Sequence, residues 1–117
     1  METQTKISVI LPIKSGKAIS FVDFFDKAIQ SIKNQIDFLQ ELIIVHGSEE
    51  YLTNHLNSYD FGDINVVLES WNEEPNFGKQ VNHGVSISTS DWCSILEFDD
   101  EYSNIWFKNA KNGRAHV

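Results

Sequence analysis

A second cysteine is lacking from the sequence, and its absence limits the covalent chemistry of the chain. Cys93 is the only cysteine, so an internal disulfide is excluded and a reducing compartment fits the composition. The four histidines lie too far apart for the short ligand spacings of a zinc site. We therefore expect Cys93 to be a core residue.

Long apolar runs are also lacking. No stretch of the sequence is long enough to span a bilayer. The apolar part of the opening segment, METQTKISVILPIK, is too short for a signal peptide. We therefore expect a cytoplasmic protein without a membrane span.

Basic residues are few, since acids outnumber lysine and arginine by 17 to 9 and the formal net charge is −8. No basic cluster offsets this charge, so the phosphate backbone of a nucleic acid would be repelled, and we expect no nucleic-acid partner. The 117 residues, of which 41% are hydrophobic, suffice for one hydrophobic core and are too few for two. Residues 1–117 are therefore predicted to form a single domain.

Four short and almost wholly apolar segments predict β-strands that are buried on both faces. Between them lie amphipathic segments that predict α-helices, and the most regular of these carries an apolar stripe from Phe21 to Ile32. The predicted strands are residues 6–13, 41–46, 64–70 and 91–98, with Pro12 expected to stop further pairing of the first. Four helices are predicted. The first follows Ser20, which would cap it, and the second follows a turn and cap at Gly47 and Ser48. The third spans residues 77–88, and the fourth follows Ser103, which would cap it.

This alternation predicts the α/β class: a three-layer α/β/α fold with a mainly parallel, Rossmann-like sheet. In such a sheet the ligand crevice lies at the carboxyl ends of the strands, where the strand order reverses. The strand tails that this crevice rule places side by side are residues 12–15, 46–48, 69–71 and 97–101.

Gly84, in the helix over residues 77–88, is expected to let that helix approach the sheet closely.

The segment after the first strand excludes three common nucleotide sites. A dinucleotide fold needs G-x-G-x-x-G, whereas the segment PIKSGK has one glycine. A P-loop needs G-x-x-x-x-G-K-[ST], whereas Gly16 and Lys17 are followed by Ala18, without a partner glycine upstream. A phospho-acceptor receiver would carry its acid pair after the first strand, and here the acids follow the fourth.

The acids after the fourth predicted strand are the main candidate site. Glu97 and Asp99 share one side of the strand, because alternate residues of a strand share a face, so their carboxylates meet at one point. Mg²⁺ or Mn²⁺ held there would neutralise a diphosphate in place of backbone amides. The alternative is that these residues, with Asp100 and Glu101, form a solvated strand end.

Three stretches of the chain resemble, in order, the nucleotide-binding half of the GT-A glycosyltransferases, and glycosyltransferase family 2 most of all. They are KISVILPI, QELIIVHGSEE and KQVNHGVSISTSDWCSILEFDDEY, and the resemblance covers residues 6–102. It implies an inverting transfer of a sugar from a nucleotide-diphosphate donor to an acceptor, with Mn²⁺ or Mg²⁺ bridging the diphosphate. GT-A domains are usually considerably longer, so the acceptor-binding second half is expected to be missing.

The resemblance also implies roles for individual residues, although no catalytic residue can be named. Asp99 would be the metal ligand. Glu97 would reach the ribose or a metal-bound water, which makes it the second candidate for the metal site, and Asp100 would shape the sugar pocket. The other residues implied in the nucleotide-sugar site are Pro12, His46, Lys79 and Asn82.

Several of these residues have a structural interpretation beside the functional one. His46 stands where the family usually has a carboxylate, and it is either a ligand contact or an ordinary residue at a strand end. Lys79 and Asn82 either meet a phosphate at a helix start or are an exposed cation and a helix cap. His55 and His83 are expected at the surface.

Two functions are compatible with the sequence. The first is a glycosyltransferase-like domain that binds a nucleotide-sugar donor through a divalent cation, with an acceptor that the sequence does not identify. The second is a catalytically inactive remnant of the fold that acts as a binding or assembly module. Because a missing second half would leave the fourth strand and the apolar residues 105–107 uncovered, a homo-oligomer is expected.

Overall fold

The structure is a computed structural model that describes residues 6–14 and 21–96. The acidic segment 97–101, the predicted cap Ser20 and the helix predicted after Ser103 lie outside these residues. The strands are β1 (Ile7–Ile13), β2 (Leu39–Gly47), β3 (Val66–Trp71) and β4 (Cys93–Ile95). The helices are α1 (Phe21–Lys33), α2 (Glu50–Ser58) and α3 (Phe77–Ile87), with a 3₁₀ turn over Ile36–Phe38. None of the helices in this part of the chain is long and apolar enough to cross a bilayer.

The four strands form one parallel sheet in the order β3-β2-β1-β4. The order reverses at β1, which pairs with β2 on one side and with β4 on the other. Pairing continues past Pro12, since Ile13 is still in register with His46. The prediction that Pro12 stops the pairing is wrong, because proline removes one N–H donor and keeps its carbonyl acceptor.

Side chains of each strand alternate between two packed faces, and this alternation gives the molecule its three layers. On one face, Leu11 packs in a cluster with Phe25 of α1 and Leu52 of α2. On the other face, Ile10 packs in a cluster with Cys93 and with Val85 of α3. The predicted three-layer α/β/α fold is confirmed, and so is the placement of Cys93 in the core.

Gly84 brings α3 against the centre of the sheet. A Cβ added to Gly84 would lie 2.5 Å from Cγ2 of Ile10 and 3.3 Å from Cγ2 of Val45. Real Cβ atoms do not approach other atoms so closely, so only glycine permits this contact. The close approach expected from the sequence is confirmed.

An aromatic cluster that contains His55 joins α1 to α2. The His55 ring meets Phe21 and Phe25 edge to face, with ring centroids 5.2 and 5.3 Å apart. Tyr59 also packs on Phe25, and its hydroxyl donates to Asp26 Oδ1 at 2.5 Å. Burial and this hydrogen bond raise the pKa of the Tyr59 hydroxyl. The expectation that His55 lies at the surface is wrong, because the residue is half-buried with its ring against Phe21 and Phe25.

A buried carboxylate fixes the turn that leads into β4. Glu41 of β2 is 4% exposed. Its Oε2 accepts hydrogen bonds from Ser8 Oγ at 2.6 Å, Thr89 N at 2.7 Å and Thr89 Oγ1 at 2.8 Å. Burial raises the pKa of the Glu41 carboxyl, but the hydrogen bonds outweigh burial and leave this pKa below its ordinary value. Charged Glu41 therefore ties β1 and β2 to the α3–β4 turn at the amino end of the sheet.

Helix α2 begins without the predicted cap at Ser48. Its N-cap is Glu49, whose side chain makes no capping hydrogen bond. The carbonyl oxygen of Glu49 accepts from the backbone N and from Oγ1 of Thr53, at 3.0 and 3.1 Å. The prediction that Ser48 caps α2 is therefore wrong, since the N-cap position is Glu49.

Candidate functional site

The carboxyl ends of β1, β2 and β3 meet at one edge of the sheet, which we call the site edge. At this edge Gly47 of β2 is in register with Trp71 of β3. Lys14, directly after β1, lies so close to β2 that a Cβ on Gly47 would be 2.7 Å from the Lys14 carbonyl oxygen. The predicted convergence of the first three strand tails is confirmed, and the acidic tail of the fourth strand lies outside the described residues.

Helix α3 begins at the site edge, with Asn76 as its N-cap. Oδ1 of Asn76 accepts from the backbone N of Lys79 at 2.9 Å, and the backbone N of Asn76 donates to Oε1 of Gln80 at 3.0 Å. The two hydrogen bonds satisfy two backbone donors at the helix start, as a capping box does, although the return bond here comes from Gln80, one residue past Lys79. The interpretation of Asn82 as a cap is wrong, because Asn82 lies inside α3 with its side chain exposed.

Gln80 is the polar residue of this edge that the sequence analysis missed. Its side chain is 2% exposed, and its Nε2 donates to the carbonyl oxygens of Val45 at 2.9 Å and Ile13 at 3.3 Å. Gln80 therefore joins the first turn of α3 to the ends of β1 and β2. The available signal was its spacing of four residues from Gly84, which puts both on the sheet-facing side of the helix.

His46, predicted to contact the nucleotide, is held in place at the end of β2. It is 5% exposed, and its Nδ1 lies 2.9 Å from the carbonyl oxygen of Gly47. Because a carbonyl oxygen can only accept, Nδ1 carries the hydrogen in this contact. In a neutral ring the other nitrogen, Nε2, is then a hydrogen-bond acceptor.

The remaining predicted site residues differ in where they lie. Pro12 is buried in β1, in register with Val45 and close to the site edge. Lys79 and Asn82 have exposed side chains on α3. The described part of the site therefore combines Pro12, His46 and the first turn of α3. The predicted acids Glu97, Asp99 and Asp100 lie outside the described residues.

A second polar cluster lies where β3 meets α3. Oε2 of Glu69 is 2.6 Å from Nε2 of His83, and the two side chains are 38% and 36% exposed. The His83 ring packs against the indole of Trp71, with ring centroids 5.8 Å apart, and Nε1 of Trp71 donates to the carbonyl oxygen of Glu74 at 3.0 Å. His83 thus lies partly exposed, as expected, and it is also paired with Glu69, which the sequence did not predict.

Metal ligands are not grouped in the described residues. Within residues 6–14 and 21–96, no three His, Cys, Asp or Glu side chains lie together in a way that could hold a metal ion. The predicted ligands Asp99 and Glu97 follow residue 96 and so lie outside the residues that the structure describes. A divalent cation at these acids therefore stays a prediction.

Comparison with known families identifies the chain. The sequence profile described as glycosyl transferase family 2 matches residues 8–111. The chain belongs to glycosyltransferase family 2. The resemblance seen in the strand and helix motifs is thereby confirmed. Members of this family generally use a divalent metal.

Two solved structures share the fold of this family 2 chain. HddC from Yersinia pseudotuberculosis matches with a TM-score of 0.60 and 15% identity, over 81% of this chain and 48% of that one. A mycobacterial protein matches with a TM-score of 0.56 and 20% identity, over 86% of this chain and 33% of that one. The chain therefore spans less than half the length of each. None of the curated proteins compared with it is significantly similar in sequence.

Proposed function

We propose that this chain binds a nucleotide-diphosphate sugar at the site edge and takes part in the inverting transfer of the sugar to an acceptor. The observation that carries the proposal is the junction of β1, β2 and the first turn of α3 at one edge, in a member of family 2. In parallel α/β sheets, ligands bind outside the carboxyl ends of the strands.

The described residues would contact the nucleotide part of the donor. His46 offers Nε2 as an acceptor for an N–H group of the nucleobase, and Pro12 shapes the backbone beside it. Lys79, in the first turn of α3, supplies a cation where the helix end itself favours anions. Asn82, three residues further along the helix and also exposed, would be a further contact.

The acids after β4 would bind the metal ion. Because the chain carries a formal net charge of −8, an anionic diphosphate needs a cation to offset repulsion at the site. Asp99, with Glu97, would hold Mn²⁺ or Mg²⁺, and Asp100 would shape the sugar pocket. When bound, the cation would stabilise the negative charge of the leaving nucleoside diphosphate.

Isothermal titration calorimetry with UDP-sugars and GDP-sugars, with and without Mn²⁺, tests this proposal. The expected result is binding that requires the metal and is lost in Asp99→Asn, which keeps the size of the side chain and removes its charge. Asp91→Asn is the matched control, since Asp91 is exposed at the amino end of β4, away from the site edge. Binding that is independent of metal, or that survives Asp99→Asn, would refute the metal site.

Failure of the wild-type chain to bind any donor would favour the alternative function, a non-catalytic binding or assembly module. A thermal-shift screen distinguishes the same two functions with little protein, because a specific ligand raises the melting temperature of the chain by mass action. The homo-oligomer and the cytoplasmic location stay predictions. Sedimentation velocity tests the first of them, and a strictly monomeric profile would contradict it.

A further inference from the structure

Gln80 has both of its amide hydrogens and its oxygen engaged inside the protein. The hydrogens are donated to the carbonyl oxygens of Ile13 and Val45, and the oxygen accepts from the backbone N of Asn76. These partners fix the orientation of the amide, because carbonyl oxygens can only accept and a backbone N–H can only donate. The residue is 2% exposed, so water does not compete for these groups.

The three partners of Gln80 belong to three separate parts of the site edge. Ile13 ends β1, Val45 lies near the end of β2, and Asn76 caps α3. A side chain that serves all three must offer two donors and one acceptor at the end of a stem of this length. Asparagine carries the same amide on a shorter stem, and methionine has a similar length without the amide.

We infer that Gln80 is a positioning residue of the nucleotide-sugar site. By holding the first turn of α3 against β1 and β2, it sets the separation between Lys79 on the helix and His46 on the sheet. This inference rests on the proposed function and adds a residue that does not itself touch the donor.

Loss of the Gln80 amide would leave two carbonyl groups without this buried partner and would release the start of α3. The start of α3 would then adopt several positions relative to the sheet, and only one of them would place Lys79 and His46 at the separation that fits the donor. Affinity falls in proportion to the population of the competent arrangement. Donor binding should therefore weaken even in molecules that remain folded.

Gln80→Met tests the inference, because methionine keeps the unbranched stem and removes the hydrogen bonds. The dissociation constant of UDP or GDP, whichever binds the wild-type chain, is measured with Mn²⁺ by calorimetry on samples whose circular dichroism shows the native fold. We expect the dissociation constant to rise by roughly tenfold in Gln80→Met, and by less in Gln80→Asn. Should Gln80→Met fail to fold, Gln80→Asn alone decides.

Leu56→Ala is the control for stability. Leu56 is buried between α2 and the opposite face of the sheet, so its truncation lowers the melting temperature without contact with the site edge. The control should bind the nucleotide within about twofold of the wild-type affinity, because distant sites act independently. If Gln80 had a purely structural role, its variants would likewise have a lower melting temperature and an almost unchanged affinity for the nucleotide.

Two outcomes would overturn the inference, and they are distinguishable. If the wild-type chain binds a nucleotide and the folded Gln80 variants bind it equally well, the inference alone fails. If the wild-type chain binds neither UDP nor GDP, the proposed function fails and the inference fails with it.

Discussion

Gly84 of α3 lies directly against Ile10 of β1, and an added Cβ would be 2.5 Å from Cγ2 of Ile10. Ile10 is fully buried in a strand that pairs on both sides. Its Cγ2 is bonded directly to a branched Cβ, so this methyl group cannot swing aside. Any larger residue at position 84 therefore has to push the helix away from the sheet.

Gly84→Ala is expected to lower the free energy of unfolding by about 1–3 kcal/mol, because overpacking outweighs the helix-propensity gain of about 1 kcal/mol from glycine to alanine. Urea denaturation followed by circular dichroism measures the change. Gly78→Ala is the matched control in the first turn of the same helix, where the added Cβ meets only Asn76 Oδ1 at 3.6 Å. An equal loss of stability in both variants would contradict the prediction.

Glu41→Gln is expected to destabilise the fold near neutral pH by about 1.5–3 kcal/mol, the range for hydrogen bonds to a buried charged group. Glutamine keeps the shape of the side chain and loses the negative charge of the carboxylate, whose Oε2 accepts hydrogen bonds from Ser8 and Thr89. The free energy of unfolding from urea titrations gives the difference. Glu73→Gln, at an exposed position, controls for the loss of one negative charge.

The effect of Glu41→Gln should also depend on pH. Because the folded state lowers the pKa of Glu41 from an ordinary value of 4.5, its contribution is complete above that value and is lost as the pH falls through the folded pKa. The stability difference between wild type and Glu41→Gln should therefore shrink in acid. A difference that stays constant between about pH 7 and about pH 3 would show that the carboxylate charge does not contribute.

Glu69 and His83 are expected to couple β3 to α3 by about 0.2–1 kcal/mol, the usual range for partly exposed pairs. A double-mutant cycle of Glu69→Gln and His83→Gln, read out by the free energy of unfolding, isolates this term. The intrinsic tryptophan fluorescence, to which Trp71 contributes, should change in His83→Gln, since the His83 ring packs on the indole of Trp71. Strictly additive single effects would mean that the 2.6 Å contact makes no net contribution.

Cys93 is expected to react slowly with thiol reagents in the folded protein. It is 1% exposed, and burial, together with the nearby charge of Glu41, raises the pKa of its thiol above the ordinary value despite a hydrogen bond to Ser88. The thiolate is the reactive form, so both access and ionisation oppose the reaction. Reaction with Ellman's reagent should become rapid only in denaturant, and rapid labelling without denaturant would contradict this placement.

Much of the fold was readable because its signals are local. Continuous β-branched runs predicted the strands, and their alternation with amphipathic segments predicted parallel pairing and helices on both faces. Boundaries were less accurate: β2 spans Leu39–Gly47 where residues 41–46 were predicted, because its pairing with β1 extends beyond the apolar run.

The site was readable only in part. The rule for parallel sheets correctly placed Pro12 and His46 near one edge. Gln80 was missed because its partners Val45 and Ile13 are 35 and 67 residues away in the chain, and its spacing from Gly84 indicates the sheet-facing side of the helix but not these partners. The pairing of His83 was missed for the same reason, since it depends on which strand lies beneath α3.

The sequence by itself determined the class of fold, the family and the edge at which the strands end, since periodicity and motif order are properties of neighbouring residues. The tertiary structure alone decided which polar side chains are buried and what they bind. Gln80, Glu41 and His83 each obtain their hydrogen-bond partners only when distant segments pack together. For Gln80 and Glu41, burial makes those partners necessary, because a buried polar group without one is costly.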